Sequence, residues 1–219
     1  MTGETRISTQ AVGDFLDHLA SASPTPGGGT AAAVAGAMSA ALAAIFGRLT
    51  ASREKYAAVE GRMREIIGEA EKARANLVLL AQRDQEAFDR VMEAYGMPKA
   101  SPEEKERRAE AIQRALKEAT RIPLETLEEA AALQELAADA LEFGNANARS
   151  DAGAAWHLAE AAFQGALLNV RINLEGIKDR EFAGTVLGSA EKAERKNGTS
   201  RGRIEGLIEK LFGKEERPE

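Results

Sequence analysis

Asp84 is the residue of this sequence best placed to move protons. It lies on a stripe at helical spacing that is otherwise apolar, formed by Leu77, Leu80, Ala81, Asp84, Phe88, Val91 and Tyr95. An acid among apolar side chains is costly unless it is paired or its pKa rises, and a raised pKa suits a general acid/base. The structural alternative is a buried aspartate satisfied by a backbone N–H or by a neighbour such as Arg83.

A proline- and glycine-rich segment is the second candidate for a functional site. It reads Ser23-Pro24-Thr25-Pro26-Gly27-Gly28-Gly29-Thr30 and leads into the small apolar run 31–46. The glycines allow close approach to the main chain, and free N–H groups at a helix start favour an anionic or carbonyl-rich ligand. Predicted ligand contacts are Pro26, Gly27, Gly28, Gly29 and Thr30. A loop that simply enters a tightly packed helix is the structural alternative.

Two asparagines four residues apart, Asn169 and Asn173, project from the same side of a predicted helix. Ala161 and Gly165 continue that face toward His157 and leave space beside the amides. Such an arrangement suits a ring whose edge is a row of hydrogen-bonding atoms. Amide bonding between helices in the core explains the spacing equally well.

A third segment, 144–151, is typical of a loop that ends in a helix N-cap. Its polar residues Asn145, Ser150 and Asp151 are common in turns and caps. Together with the stretch 84–88, Asp-Gln-Glu-Ala-Phe, these segments closely resemble the cyclodeaminase domain of formiminotransferase-cyclodeaminase and its free-standing bacterial relatives. Some of those relatives are methenyltetrahydrofolate cyclohydrolases. The resemblance keeps the order of all four blocks from about Val12 to Leu187.

The resemblance implies a role for several residues. Asp84 matches the aspartate of the family's Asp-x-x-Ala-Phe block, which implies that it is the catalytic acid/base. Only the matching block makes Asn145, Ser150 and Asp151 candidates for substrate binding. Lys99 matches the Pro-Lys that closes the family block, and it could meet a glutamate carboxylate of folate.

The implied activity is conversion of 5-formiminotetrahydrofolate to 5,10-methenyltetrahydrofolate and ammonia by a cyclodeaminase. A 5,10-methenyltetrahydrofolate cyclohydrolase using the same site is the alternative within the family. No cofactor beyond the folate substrate is expected, and the resemblance implies a homodimer. A non-enzymatic helical scaffold would also be Ala-rich and dimeric, but it would not need an acid in an apolar stripe beside glycine and asparagine blocks.

Composition excludes several other classes. The 219 residues include no cysteine, which excludes disulfides and thiolate chemistry, and the net charge of −6 argues against general nucleic-acid binding. The two histidines, His18 and His157, lack an acidic cluster at ligand spacing, so no metal site is expected. The polar N-terminus shows no signal peptide, and the run 31–46 is short for a membrane span. We therefore expect a cytoplasmic protein without membrane or nucleic-acid partners.

The positioning elements are all helical, because no segment alternates with period two. We expect an all-α fold, with residues 1–219 forming a single-domain elongated helical bundle of about seven helices and 190–219 a charged C-terminal helix and tail. The predicted boundaries follow from caps and breakers. The first helix is capped by Ser8 or Thr9 and ends near Leu19, and the next two cover about 29–50 and 53–95, with a stop at Gly96-Met97-Pro98. A capping box at Ser101 and Glu104 starts the fourth helix, which breaks or kinks at Pro123, and the helix after it ends at Phe143. Ser150 caps another helix that ends near Gly176, and Asp179 caps the last.

The third predicted helix raises a question of size. If it is continuous, it is on the order of 60 Å long, whereas a compact monomer of this length is roughly 45 Å across. Either Gly61 or Gly68 marks a bend, or the molecule is elongated and pairs with a second copy. We favour pairing.

Overall fold

A computed structural model describes residues 7–212 of the chain, with side chains through residue 211. Within this range it contains six α-helices, three short 3-10 helices and no strand, which confirms the all-α prediction with one long helix fewer than expected. The α-helices are α1 (Val12–Leu19), α2 (Gly28–Ala51), α3 (Glu60–Gly96), α4 (Pro102–Phe143), α5 (Arg149–Leu174) and α6 (Arg180–Phe212). The 3-10 helices are Ile7–Thr9, Glu54–Val59 and Ala146–Ala148.

Helix α2 is at the centre of the fold. It packs against α3 on one side, α5 on the other and α4 behind, while α6 lies mainly on α4. Its small side chains make this possible: a Cβ at Gly36 would lie 3.1 Å from Leu77, and Ala33 and Ala40 are fully buried. Three helices can therefore approach α2 closely enough to hold polar groups at its N-terminal end in fixed positions.

The same helix is the one described segment whose length and apolarity would allow it to cross a membrane. Its best window has a mean hydropathy of 1.7, but 61 % of that window is buried inside the protein. Burial between three neighbouring helices accounts for the apolar side chains on the covered faces of this helix.

Helix caps were predicted correctly in two places and wrongly in two others, and α3 begins at Glu60 instead of at about residue 53. Ser101 accepts from the N–H of Glu104 in a complete capping box, and Asp179 accepts from the N–H groups at the start of α6. The predicted cap at Ser8 or Thr9 is wrong, since these residues form a 3-10 turn and α1 begins after Ala11. Ser150 is likewise inside α5, because the chain enters that helix through a 3-10 turn capped by Asn145.

Helix α3 is continuous across Gly68, and at 37 residues it is about 55 Å long. The chain bends before it instead, at Tyr56, whose φ of −109° and ψ of 18° interrupt the 3-10 helix. Neither Gly61 nor Gly68 therefore marks a bend, because both lie inside the continuous helix. The predicted stop is confirmed, because α3 ends at Gly96.

Helix α4 continues through Pro123, so the predicted break there is wrong and two expected helices are one. Proline lacks the N–H that would bond to the carbonyl four residues earlier, at Ala119. That carbonyl instead accepts from Asn173 Nδ2 on α5 at 2.8 Å. Burial of Ile122, Pro123 and Leu127 favours packing of the uninterrupted helix against its neighbours. A side chain from another helix thus supplies the missing donor, which a pattern local to α4 could not reveal.

Candidate functional site

A cavity of about 300 Å³ opens at the N-terminal end of α2. The loop before α2 and helices α3, α4 and α5 all contribute to its wall. The lining residues are Pro24, Thr25, Gly27, Gly28, Gly29, Asp84, Phe88, Val91, Leu116, Ala119, Asn169, Ile172 and Asn173. The cavity therefore brings together the glycine segment, the predicted acid and both predicted asparagines, which lie on three separate parts of the sequence.

Among the described residues that line the cavity, Asp84 is the only ionisable one. Its Oδ2 accepts a hydrogen bond of 2.8 Å from the hydroxyl of Thr30. Burial raises the pKa of Asp84 above its ordinary value, opposed by hydrogen bonds from the hydroxyl and backbone N–H of Thr30. Arg83 does not neutralise it, since that guanidinium pairs with Glu125 at 2.8 Å. Burial therefore acts on the pKa of Asp84 in the predicted direction, and the carboxyl group faces a space that can hold a ligand.

The glycines have two different roles at the cavity. A Cβ at Gly29 would lie 2.5 Å from Asp84 Oδ1, so only glycine leaves room for the carboxylate in this position. A Cβ at Gly28 would lie 3.5 Å from Asn169 Nδ2, which is ordinary contact. Pro26 and Thr30 are buried outside the cavity lining, although both were predicted to contact substrate.

The two asparagines line the cavity, and the amide nitrogen of each also donates a hydrogen bond within the protein. Asn169 Nδ2 donates to the carbonyl of Gly165, and Asn173 Nδ2 donates to that of Ala119, each at 2.8 Å. The expected bonding between helices therefore exists at Asn173 alongside its place in the wall. The amide oxygens of both residues are the atoms that can accept a hydrogen bond from a ligand.

We predict that Asn173 and Pro123 are coupled in stability. Asn173→Ala leaves the carbonyl of Ala119 without its donor and should destabilise the protein by about 1–3 kcal/mol. In a Pro123→Ala background the main chain supplies that donor, so the same substitution should cost clearly less. Chemical denaturation of the wild type, both single variants and the double variant measures the difference. Equal costs in both backgrounds would contradict the coupling.

The predicted residues of the segment 145–151 do not lie at this cavity within one chain. They are at the opposite end of α2, about 35 Å along a helix of 24 residues. Asn145 is buried there, donating from its side chain to Leu49 and from its backbone to Thr50. Ser150 is exposed and Asp151 half-buried in the first turn of α5. Asn145 therefore caps a helical turn in the structure. That residues of this segment contact the substrate stays a prediction.

Lys99 is also outside the cavity. It is exposed in the turn between α3 and α4, and the helix between Asp84 and Gly96 rises about 18 Å. Its predicted contact with a substrate carboxylate therefore requires an extended ligand whose far end leaves the cavity along α3.

Sequence reasoning missed part of the cavity wall. Phe88 and Val91 carried a signal, because they share the helical stripe of Asp84, whereas Leu116 and Ile172 carried none. His157, toward which the asparagine face was expected to continue, is exposed with its ring against Trp156, 5.1 Å between centroids. His18 is also exposed. Within residues 7–212 there is no group of three or more His, Asp or Glu side chains that could hold a metal ion.

The fold and cavity define an all-α protein whose candidate site has one carboxyl group, that of Asp84, among its described lining residues. A sequence model described as formiminotransferase-cyclodeaminase matches residues 11–192. The chain belongs to this family, as its four motifs indicated. It is therefore an enzyme of the cyclodeaminase or cyclohydrolase type.

Individual relatives resemble the chain over different fractions of their own length. A methenyltetrahydrofolate cyclohydrolase from Methylorubrum extorquens is 45 % identical over 84 % of this chain and 86 % of its own. The formimidoyltransferase-cyclodeaminase of Sus scrofa is 38 % identical over 78 % of this chain, which spans only 32 % of that protein. The crystal structure of formiminotetrahydrofolate cyclodeaminase from Thermotoga maritima superposes with a TM-score of 0.85 at 35 % identity, covering 94 % of this chain and 99 % of that one.

Proposed function

We propose that this protein is a methenyltetrahydrofolate cyclohydrolase, which adds water to the one-carbon bridge between N5 and N10 of tetrahydrofolate. The observation that carries the choice of reaction is the 45 % identity to the Methylorubrum extorquens enzyme over most of both chains. The cavity supports the choice of chemistry, because it presents a single carboxyl group of raised pKa beside amide oxygens and accessible main chain.

In this proposal Asp84 moves protons at two atoms. Its carboxylate takes a proton from water as the water oxygen bonds to the bridging carbon, which gives a tetrahedral centre. It then returns that proton to N5 as the carbon–N5 bond breaks, while the new hydroxyl loses its proton to solvent and becomes the carbonyl of a 10-formyl group. One proton is released overall. General acid/base catalysis of this kind contributes typically about 10²–10⁴-fold.

The rest of the cavity holds the substrate in this proposal. Asn169 and Asn173 accept hydrogen bonds from the edge of the pterin ring through their amide oxygens. Gly27 and Gly28 let the ring lie close to the main chain. Lys99 meets a glutamate carboxylate at the far end of the molecule. The reaction needs no cofactor beyond the folate, and we propose a cytoplasmic location.

The second candidate is the cyclodeaminase reaction, supported by the close match to the Thermotoga maritima structure along the whole of that chain. Here N10 attacks the carbon of the formimino group on N5, whose nitrogen carries a proton at neutral pH and becomes an amine in the tetrahedral centre. Asp84 takes the proton of N10 and gives it to the departing amine, so that ammonia leaves and the 5,10-methenyl bridge forms. Both reacting atoms belong to one molecule, and their proximity supplies much of the rate.

Absorbance at the methenyl band distinguishes the two reactions. Purified protein is offered 5,10-methenyl- and 5-formiminotetrahydrofolate separately. A cyclohydrolase makes the band decay faster than the spontaneous reaction, whereas a cyclodeaminase makes it appear from the formimino substrate with release of ammonia. Catalysis of the formimino reaction alone would replace the first proposal by the second, and catalysis of neither would reject both.

We also propose a homodimer that pairs through α2. The face of α2 that is not covered by α3, α4 or α5 is at least partly exposed, and it is apolar except at Arg48 near its C-terminal end. The apolar residues of this open face are Ala31, Val34, Ala35, Met38, Ala41, Leu42, Ile45 and Leu49. Met38 and Ile45 are about half exposed, at 48 % and 45 %. A second copy is the occupant with a matching surface, because an isologous dimer places the same apolar stripe on both sides.

Such a dimer would also give the segment 145–151 a place at the site. A two-fold axis across the middle of the open face makes the two α2 helices antiparallel. The end of α2 that carries this segment in one copy would then lie near the cavity in the other. This arrangement supports the predicted substrate contacts of Asn145, Ser150 and Asp151, which one chain cannot make alone.

Met38→Glu is therefore expected to convert a dimer to a monomer at micromolar concentration, because it places a charge in the middle of the apolar face. Leu187→Glu on α6 is the matched control, since Leu187 is 45 % exposed but lies outside that face. Sedimentation velocity and light scattering measure the mass of each. A wild-type monomer with full activity would refute the dimer, and a change of mass caused equally by both variants would place the interface elsewhere.

A further inference from the structure

We propose that Thr30 is a positioning residue that fixes the carboxylate of Asp84 at the start of α2 and favours its ionised, base form. This inference rests on the proposed function, because it concerns the group that moves the proton. It also differs from the role predicted by the sequence, which assigned Thr30 to the substrate.

The position of Thr30 directs its hydroxyl to Asp84 and not to a substrate. The Thr30 side chain is fully buried and is not part of the cavity wall. Its hydroxyl proton is donated to Asp84 Oδ2 at 2.8 Å across 54 residues of sequence. A substrate therefore meets the carboxylate, with the threonine behind it.

The start of α2 has no other side chain to cap it. Gly27 at the N-cap position makes no side-chain hydrogen bond, and the first turn of the helix contains no acidic residue. The unpaired N–H groups and the helix dipole at this end favour a negative charge. Asp84, reaching across from α3, supplies that charge and accepts from the N–H of Thr30 as well as from its hydroxyl. The missing side chain of Gly29 makes room for it.

The other charged groups near Asp84 form ion pairs or hydrogen bonds with other residues. On α3, Arg83 pairs with Glu125 of α4, and Glu86 accepts from Gln82 and lies 4.0 Å from Arg90. The described walls contributed by α4, α5 and the loop contain no ionisable side chain. The protonation of Asp84 is therefore a balance between burial, which raises its pKa, and the hydrogen bonds of Thr30, which lower it.

Removing the hydroxyl of Thr30 should favour the protonated, neutral form of Asp84. In Thr30→Val the pKa of Asp84 rises further, so a smaller fraction is ionised at mildly acidic pH. We expect kcat/KM on the acidic limb to fall about tenfold below that of the wild type and to approach it again at high pH. Thr30→Ser keeps the donor and should keep the wild-type profile.

Carbon-13 NMR titration of aspartate-labelled protein tests the inference without any turnover. Asp84→Asn identifies the resonance, which should titrate at higher pH in Thr30→Val than in the wild type or Thr30→Ser. Thr126→Val is the control, because Thr126 is equally buried but donates to the carbonyl of Ile122 within α4. Thr30→Ala serves as a second hydroxyl-free variant if the valine does not fold.

The two readouts separate this inference from the proposed function. An unchanged Asp84 titration in Thr30→Val or Thr30→Ala overturns the positioning role, whatever the enzyme does with folates. A displaced titration in a protein that turns over neither folate would support the role of Thr30 and reject the proposed function. A displaced titration without a matching change in the acidic limb of kcat/KM would show that Asp84 is not the base, and it would overturn the catalytic part of the inference.

Discussion

Replacing Asp84 by Asn is expected to lower kcat by about a hundredfold or more while the protein stays folded. The amide has the size of the carboxyl group and its oxygen can accept from the N–H of Thr30, but it cannot take a proton from water or from N10. Steady-state rates with both folate substrates, measured from acidic to alkaline pH, check this expectation. Near wild-type turnover at every pH would end the assignment of Asp84 as the acid/base.

The same variant has a second expected signature, in stability. Because burial raises the pKa of Asp84 in the folded protein, the folded state binds its proton more tightly than the unfolded chain does. The stability associated with this proton is fully present below the unfolded pKa and is lost as pH rises through the folded pKa. Asp84→Asn does not titrate, so its stability relative to the wild type should increase with pH across that window. Thermal melts at several pH values measure the difference, and a stability difference that does not vary with pH would contradict the raised pKa.

The sequence predicted local features of this fold more reliably than features that depend on distant residues. Ser101 with Glu104 and Asp179 cap their helices because capping involves residues only a few positions apart. Pro123 was expected to break a helix for an equally local reason, the missing N–H. Asn173, on another helix, supplies the donor instead, and no pattern around Pro123 carries that information.

The candidate site shows the same limit. Sequence reasoning identified Asp84, the glycine segment and the two asparagines separately, and the cavity brings all of them together. It did not predict that Thr30 would bond to Asp84, because the two are 54 residues apart and each has an ordinary local explanation. The segment 145–151 was placed with the glycines by family resemblance alone, and the length of α2 separates them within one chain.

The second large effect is expected at Gly29. A Cβ added there would lie 2.5 Å from Asp84 Oδ1 and 2.8 Å from Oδ2, well inside van der Waals contact. Because the obstructed atoms are the end of a short side chain, Asp84 can turn away and the fold can survive. Gly29→Ala should therefore lower kcat by about a hundredfold through misplacement of the carboxylate. Circular dichroism establishes folding, and steady-state kinetics give kcat and KM.

Gly28→Ala is the matched comparison, because its Cβ would meet Asn169 Nδ2 at an ordinary 3.5 Å. Alanine is also the better helix former by about 1 kcal/mol, a gain that both variants share at the start of α2. Gly28→Ala should therefore change kcat far less than Gly29→Ala, with any loss seen mainly in KM. The stability of Gly29→Ala should recover when Asp84 is shortened to Ala, since the double variant removes the atoms that obstruct the new methyl group. If Gly29→Ala costs the same stability with and without the Asp84 carboxylate, the requirement for glycine has another cause, and its close contact with Asp84 is not what positions the acid/base.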